Sequence, residues 1–192
     1  MTKKVALLDY GSGNVHSAAK ALQASGAEVI LTASRKELLE ADGLVIPGVG
    51  AFAAVMEKLN AIDAGSIIDS RLVAGRPVLG ICVGMQILGY SSEEGVEQGL
   101  GWIEGKNCKI NFQNIHDKRL RVPHMGWNYI ITNKDSNLIN GLSNNKFYFL
   151  HSYHFETSNN FVSSKVDYGI KFNASIEKDN IFGVQFHPEK SH

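Results

Sequence analysis

The chain has 192 residues, 44% hydrophobic and 20% charged, which suits one globular domain over residues 1–192 with a sizeable core. Nineteen Lys and Arg balance nineteen Asp and Glu, so no whole-molecule field argues for nucleic acid or a membrane surface. No apolar run approaches the roughly 20 residues that span a bilayer, and Met1-Thr2-Lys3-Lys4-Val5-Ala6-Leu7-Leu8-Asp9 reaches a charge too soon for a signal-peptide core.

Val5 to Leu8 is a continuous apolar run, as expected of a parallel strand buried on both faces. It empties into Asp9-Tyr10-Gly11-Ser12-Gly13-Asn14, which is not a dinucleotide fingerprint because His16 stands where the third glycine would fall. Val15, Ala18, Ala19 and Leu22 have helical spacing, with Gly26 placed to end the helix. Glu28 to Thr32 reads as a strand, Ser34 as the cap of a short helix through Leu39, and Gly43 to Ile46 as a third strand. This alternation predicts an α/β fold with a mostly parallel, open, flavodoxin-like sheet flanked by helices. Pro47-Gly48-Val49-Gly50-Ala51-Phe52 follows, either a plain strand-to-helix turn or a loop whose glycines let backbone approach a ligand. Phe52, Val55, Met56 and Leu59 mark the next helix.

Pro77-Val78-Leu79 then leads to Gly80-Ile81-Cys82-Val83-Gly84-Met85-Gln86, and Met85 to Tyr90 has helical spacing. A cysteine between near glycines at a strand-to-helix corner is the thiol counterpart of a nucleophile elbow. The following helix N-terminus offers free N–H groups that favour thiolate. On this pattern alone a reactive thiol and a buried structural cysteine are evenly matched. Cys82 and Cys108 are expected as free thiols in a reducing cytoplasm. With no His/Cys cluster at ligand spacing, neither metal nor cofactor is expected.

Past Tyr90 the texture changes to short strands and turns, including 128–131, 147–150 and 169–176, with Lys178-Asp179-Asn180 as a hairpin turn into 181–186. The second half is therefore predicted to be a mixed or antiparallel extension of the same sheet, with 113–119 as a solvated loop. The last strand ends in His187-Pro188-Glu189. Pro188 biases His187 toward extended geometry, so Glu189 would share its side, accept its ring N–H and aim the other nitrogen at a nucleophile. An elbow cysteine, a glycine loop and a His-x-Glu pair, each at the end of an apolar strand, point together to thiol catalysis.

At these residues the chain resembles the class I, triad-type glutamine amidotransferases. Asp9–Asn14, Ile46–Phe52, Gly99-Leu100-Gly101, Pro123–Asn128 and Phe149–Tyr153 are similar to the glutaminase subunits of imidazole glycerol phosphate synthases, of histidine biosynthesis. The resemblance implies that Cys82 attacks glutamine, with His187 as acid and base and Glu189 as its orienter. It implies an oxyanion hole at Val49 and Val83. It also implies that Gly50, Gln86, Glu94 and the His151-Ser152-Tyr153 backbone hold the glutamine. Glu94 would pair with the substrate ammonium or remain a solvated carboxylate. The implied partner is a (β/α)8-barrel synthase (cyclase) subunit in a heterodimer that receives the ammonia. Ser12–Asn14, Met125–Asn128 and Lys190 are candidates for that interface, with Trp127 an interface anchor or a core aromatic. The alternatives are a paralogous glutaminase feeding a surface-sugar amidotransferase and a non-catalytic regulatory homologue. Similar proteins continue into a closing helix, whereas this chain stops at His192.

Overall fold

The structure, a computed structural model, describes residues 2–113, 115, 119–132 and 135–191; most of the polar stretch 113–119 lies outside the described residues. Strands β1 (Lys4–Leu8), β2 (Glu28–Thr32), β3 (Gly43–Gly48) and β4 (Val78–Cys82) alternate with helices α1 (Val15–Ala24), α2 (Arg35–Glu40), α3 (Phe52–Ala61) and α4 (Ala64–Val73). A four-residue helix α5 (Val83–Gln86) follows β4 directly. The second half adds β5 (Ser91–Ser92), β6 (Gly105–Lys109), β7 (His124–Thr132), β8 (Lys146–His151) and β9 (Tyr153–Thr157). The chain finishes with β10 (Val162–Tyr168), β11 (Ile170–Lys178), β12 (Ile181–Val184) and a 3-10 turn at Pro188–Lys190.

One nine-stranded sheet has the order β2-β1-β3-β4-β12-β11-β10-β7-β8. The pairs from β2 to β12 are parallel and those from β12 to β8 antiparallel. The inner strands β1, β3 and β4 are the continuous apolar runs, because helices cover both faces. β2 lies at the edge and is accordingly more exposed. The core is built from Leu7, Leu8, Leu44, Ile46, Phe52, Leu59 and Phe149, among others, and extends continuously from the parallel half into the antiparallel half.

The mixed extension is present, with one correction. β5, β6 and β9 leave the main sheet and form a separate three-stranded sheet. Its neighbours in the fold are Met85, Leu88, Ile103 and Phe155, which make a second apolar cluster beneath the elbow. The helix expected from Met85 to Tyr90 is also cut short at Gln86. The Ile87 and Gly89 carbonyls instead accept the N–H groups of Leu100 and Gly101, and a Cβ at Gly89 would overlap Phe155. Ser34 occupies the N-cap of α2 and its carbonyl takes the Leu38 N–H, but its hydroxyl does not cap the helix; Thr32 Oγ1 takes the Ser34 N–H and donates to Glu37.

One inward position of helix α4 is Arg71. That side chain is fully buried, and its guanidinium donates to the carbonyls of Leu38 (2.6 Å), Ala41 (2.9 Å), Pro77 (3.2 Å) and Asp42 (3.4 Å). It thereby closes the C-terminus of α2 against the strands that follow, where a positive charge is favoured.

Candidate active site

Cys82 ends β4 and caps α5 with φ 56° and ψ −111°, a left-handed backbone that is costly for any residue other than glycine. The corner holds because three glycines interlock beneath it. A Cβ at Gly84 would overlap the Ile46 carbonyl, one at Gly80 the Gly84 carbonyl, and one at Gly48 the Gly84 N–H. Register places Gly48 opposite Cys82, so the oxyanion-loop candidate and the thiol leave the sheet at one edge. The sequence pattern of small residues around Cys82 thus reflects backbone-to-backbone contact.

His187 approaches from β12, which pairs with β4. Its Nδ1 lies 2.8 Å from Glu189 Oε1, both side chains being almost fully buried. The route differs from the extended one expected: Pro188–Lys190 is a 3-10 turn, and the turn folds the carboxylate back under the ring. The segment is pinned by the His187 N–H to the Tyr148 carbonyl (2.9 Å) and by Ser191, whose hydroxyl takes the Tyr148 N–H and donates to the His187 carbonyl. Burial alone would depress the imidazole. Hydrogen bonds with the Cys82 sulfur and Glu189, and the negative charge of both, outweigh it and raise His187 to about 9. Cys82 and Glu189 thus both favour the protonated ring.

These groups open onto a cavity of about 280 Å³. Val49, Gly50, Val83, Gln86, Glu94, His151, Ser152 and Tyr153 line it together with Cys82 and His187. Glu189 sits behind His187, outside the cavity, as an orienter should. The glycine loop is tied down from two sides. The Ser12 hydroxyl donates to the Val49 carbonyl (3.3 Å), and the Tyr10 hydroxyl donates to that of Pro47. Glu94 Oε2 accepts the Phe52 N–H at the start of α3 (2.7 Å), so this carboxylate is engaged with the helix as well as facing the cavity. Pro123, Leu150 and Lys190 also line it.

Gln185 escaped the sequence reading. It is fully buried just past the end of β12, two residues before His187, and its Nε2 donates toward Cys82 Sγ at 3.8 Å. Its Oε1 accepts from Gln86 Nε2 (3.0 Å), which also donates to the Tyr153 carbonyl (2.9 Å). The two-residue spacing to His187 was the available signal. Among the described residues no cluster of His, Cys, Asp and Glu could hold a metal ion, and no helix is long and apolar enough to cross a membrane.

The family model for class-I glutamine amidotransferases matches residues 6–192. The chain belongs to this family. Within it, an imidazole glycerol phosphate synthase subunit HisH from Leptospira interrogans is 43% identical over 98% of this chain and 93% of its own. Subunits of the same name from Methanothermobacter thermautotrophicus and Zymomonas mobilis are 45% and 47% identical over 97% of this amidotransferase. In fold, it resembles a solved glutamine amidotransferase (TM-score 0.72, 17% identity, 97% of this chain and 90% of that one). It also resembles PurLQS from Thermotoga maritima (TM-score 0.67, 18% identity, 98% and 89%).

Proposed function

We propose that this chain is the glutaminase subunit of an imidazole glycerol phosphate synthase and that Cys82, His187 and Glu189 carry the reaction. The observation that supports it most directly is the arrangement at the elbow: a strained cysteine and a histidine bonded to a buried carboxylate, both opening onto a small cavity.

The Cys82 thiolate adds to the side-chain amide carbon of glutamine and places a negative charge on the former carbonyl oxygen. The Val83 N–H, free at the start of α5, and an N–H of the Val49–Gly50 peptide receive that oxyanion; each such donor is worth about 3 kcal/mol of barrier. His187 gives its proton to the departing nitrogen, and ammonia leaves a glutamyl thioester. The now neutral imidazole takes a proton from water, which attacks the thioester and releases glutamate and the thiolate. Glu189 keeps Nδ1 engaged, so that Nε2 serves both steps. Gly50, Gln86, Glu94 and the His151–Tyr153 strand edge grip the substrate, with the Glu94 carboxylate toward its ammonium. The whole of residues 1–192 acts as one domain in this reading.

Ammonia then passes to a (β/α)8-barrel synthase subunit. Strand β7 suits that contact: Met125 is 60% and Trp127 42% exposed on its outward face, a large apolar surface beside the cavity mouth. Trp127 is thus at the surface rather than in the core, and Lys190 lies close by over the Tyr148 ring. Ser12–Asn14, in the loop after β1, are the remaining candidates for that contact.

Ammonia release from glutamine, measured with and without an imidazole-glycerol-phosphate-type synthase subunit, tests the proposal. The partner should stimulate the wild type strongly and leave Cys82→Ser silent. Serine-variant activity equal to wild type would sink the mechanism, and no response to that synthase would favour a sugar-pathway acceptor.

A further inference from the structure

Strand β7 turns two different faces. Its outward face carries the exposed Met125 and Trp127, whereas His124 is fully buried and Asn128 half-buried on the inward face. His124 lies opposite His151 of β8, and its ring stacks between Phe149 (centroids 4.9 Å apart) and Tyr168 (4.0 Å). Four polar groups run in line from there. Asn128 Nδ2 is 2.7 Å from His124 Nε2, His124 Nδ1 is 3.0 Å from His151 Nε2, and His151 Nδ1 is 2.8 Å from the Tyr153 carbonyl.

The direction of every bond follows from the last one. A carbonyl can only accept, so His151 Nδ1 carries the proton and, in a neutral ring, His151 Nε2 is the acceptor. His124 must then donate from Nδ1, which leaves its Nε2 to accept the Asn128 amide N–H. Burial pushes His124 down to about 4 and His151 down to about 3, so both rings stay neutral. The neighbouring imidazoles of His124, His154 and His187 also act on His151, and each opposes a second proton on it. The Tyr153 carbonyl also takes the Gln86 N–H, which uses both its lone pairs and turns the Gln86 amide so that its second N–H meets Gln185 Oε1. Gln185 is left presenting its own N–H to Cys82.

We propose that His124 and His151 are positioning residues for glutamine hydrolysis: with Asn128 they form a one-way hydrogen-bond chain that ties the inward face of β7 to the Tyr153 carbonyl and, through Gln86 and Gln185, to the Cys82 sulfur. The proposal rests on the glutaminase reading of the cavity. A partner seated on the outward face of β7 acts on the strand that anchors the chain, so docking and the set of the substrate wall are mechanically joined. Reversing the Asn128 amide would ask both rings to exchange tautomers and would leave His151 with a lone pair facing the Tyr153 carbonyl. The chain therefore has one good state and one costly one.

Long-range ¹H–¹⁵N correlation spectra of the full-length protein read the two tautomers directly. Both rings should be neutral with the proton on Nδ1 throughout pH 5.5 to 8. A proton on Nε2 of either ring, or ordinary titration near 6.5, would overturn the chain. Kinetics with the synthase partner supply the second reading. Asn128→Asp keeps the size of the side chain but offers His124 only acceptors, and should raise KM for glutamine about tenfold, the effect of one buried acceptor, His124 Nε2, left unpaired, with a smaller change in kcat. Asn128→Ala removes the end link without reversing it and should raise KM less. Equal effects from the two variants would reduce Asn128 to a docking contact and overturn the proposal. Active wild-type enzyme with other tautomers rejects the chain alone; the expected tautomers in a protein that hydrolyses no glutamine with its partner reject the glutaminase reading and the role with it.

Discussion

Gln185→Glu changes one amide N–H next to the thiol into a carboxylate oxygen while keeping the shape of the side chain. In the native arrangement Gln185 Nε2 stands 3.8 Å from Cys82 Sγ. A unit negative charge at that separation disfavours a thiolate by about 4 kcal/mol at an effective dielectric constant of roughly 20, or about a thousandfold in thiolate population. The introduced carboxyl is buried as well, so desolvation raises its own titration and keeps it neutral at low pH. A neutral carboxylic acid can still donate a proton to the sulfur. The two effects combine into a shape rather than a uniform loss. Alkylation of Cys82 by iodoacetamide, followed by mass spectrometry between pH 6 and 9, compares the variant with the wild type. In the variant it should start near the wild-type rate and then fall away as the carboxylate forms. Cys108 serves as an internal control, since burial and the neighbouring Glu156 push it up to about 11 and keep it slow. Superimposable profiles for variant and wild type would refute the contact between Gln185 and the thiol.

Glu189→Gln removes one of the two anions that hold His187 at about 9. The imidazole then loses its proton at lower pH, so the alkaline limb of kcat/KM should move down; an unmoved limb would show that Glu189 does not face His187. Arg71→Met leaves the buried Leu38 carbonyl without its guanidinium donor and the Ala41 carbonyl with Arg76 alone, and should cost about 3 kcal/mol in urea unfolding at unchanged m-value. Relief from burying a charge works the other way, so a variant as stable as wild type would mean that desolvation outweighs the four bonds. Gly84→Ala sets a methyl against the Ile46 carbonyl; it should destabilise by about 1–3 kcal/mol and abolish ammonia release even where the protein remains folded by circular dichroism.

Much of the parallel half was legible along the chain because each of its elements is declared locally. Val5 to Leu8, Gly43 to Ile46 and Val78 to Cys82 are apolar runs that lead into glycine-containing corners, and Phe52, Val55, Met56 and Leu59 repeat at helical spacing. The elbow and the His187-Pro188-Glu189 pair were legible for the same reason: small residues beside a nucleophile and a carboxylate two places from a histidine are short-range signals. Even so, the pairing of His187 with Glu189 was reached through a 3-10 turn where an extended segment was expected, since the short polar contact matters more than the backbone path to it.

Other features depend on which strands become neighbours, and that is decided by packing of the whole sheet. Gln185 meets Cys82 across 103 positions and Gln86 meets Tyr153 across 67, because β12 docks on β4 and β9 lies against the elbow. The second sheet of β5, β6 and β9, the capping of α3 by Glu94 and the burial of Arg71 are long-range in the same way. Residue order along the chain determined the chemistry available to this protein: one elbow thiol, one histidine with its carboxylate, and strands to carry them. The tertiary structure decided how that chemistry is aimed, since a hydrogen bond between distant strands has no periodicity by which it could be read beforehand.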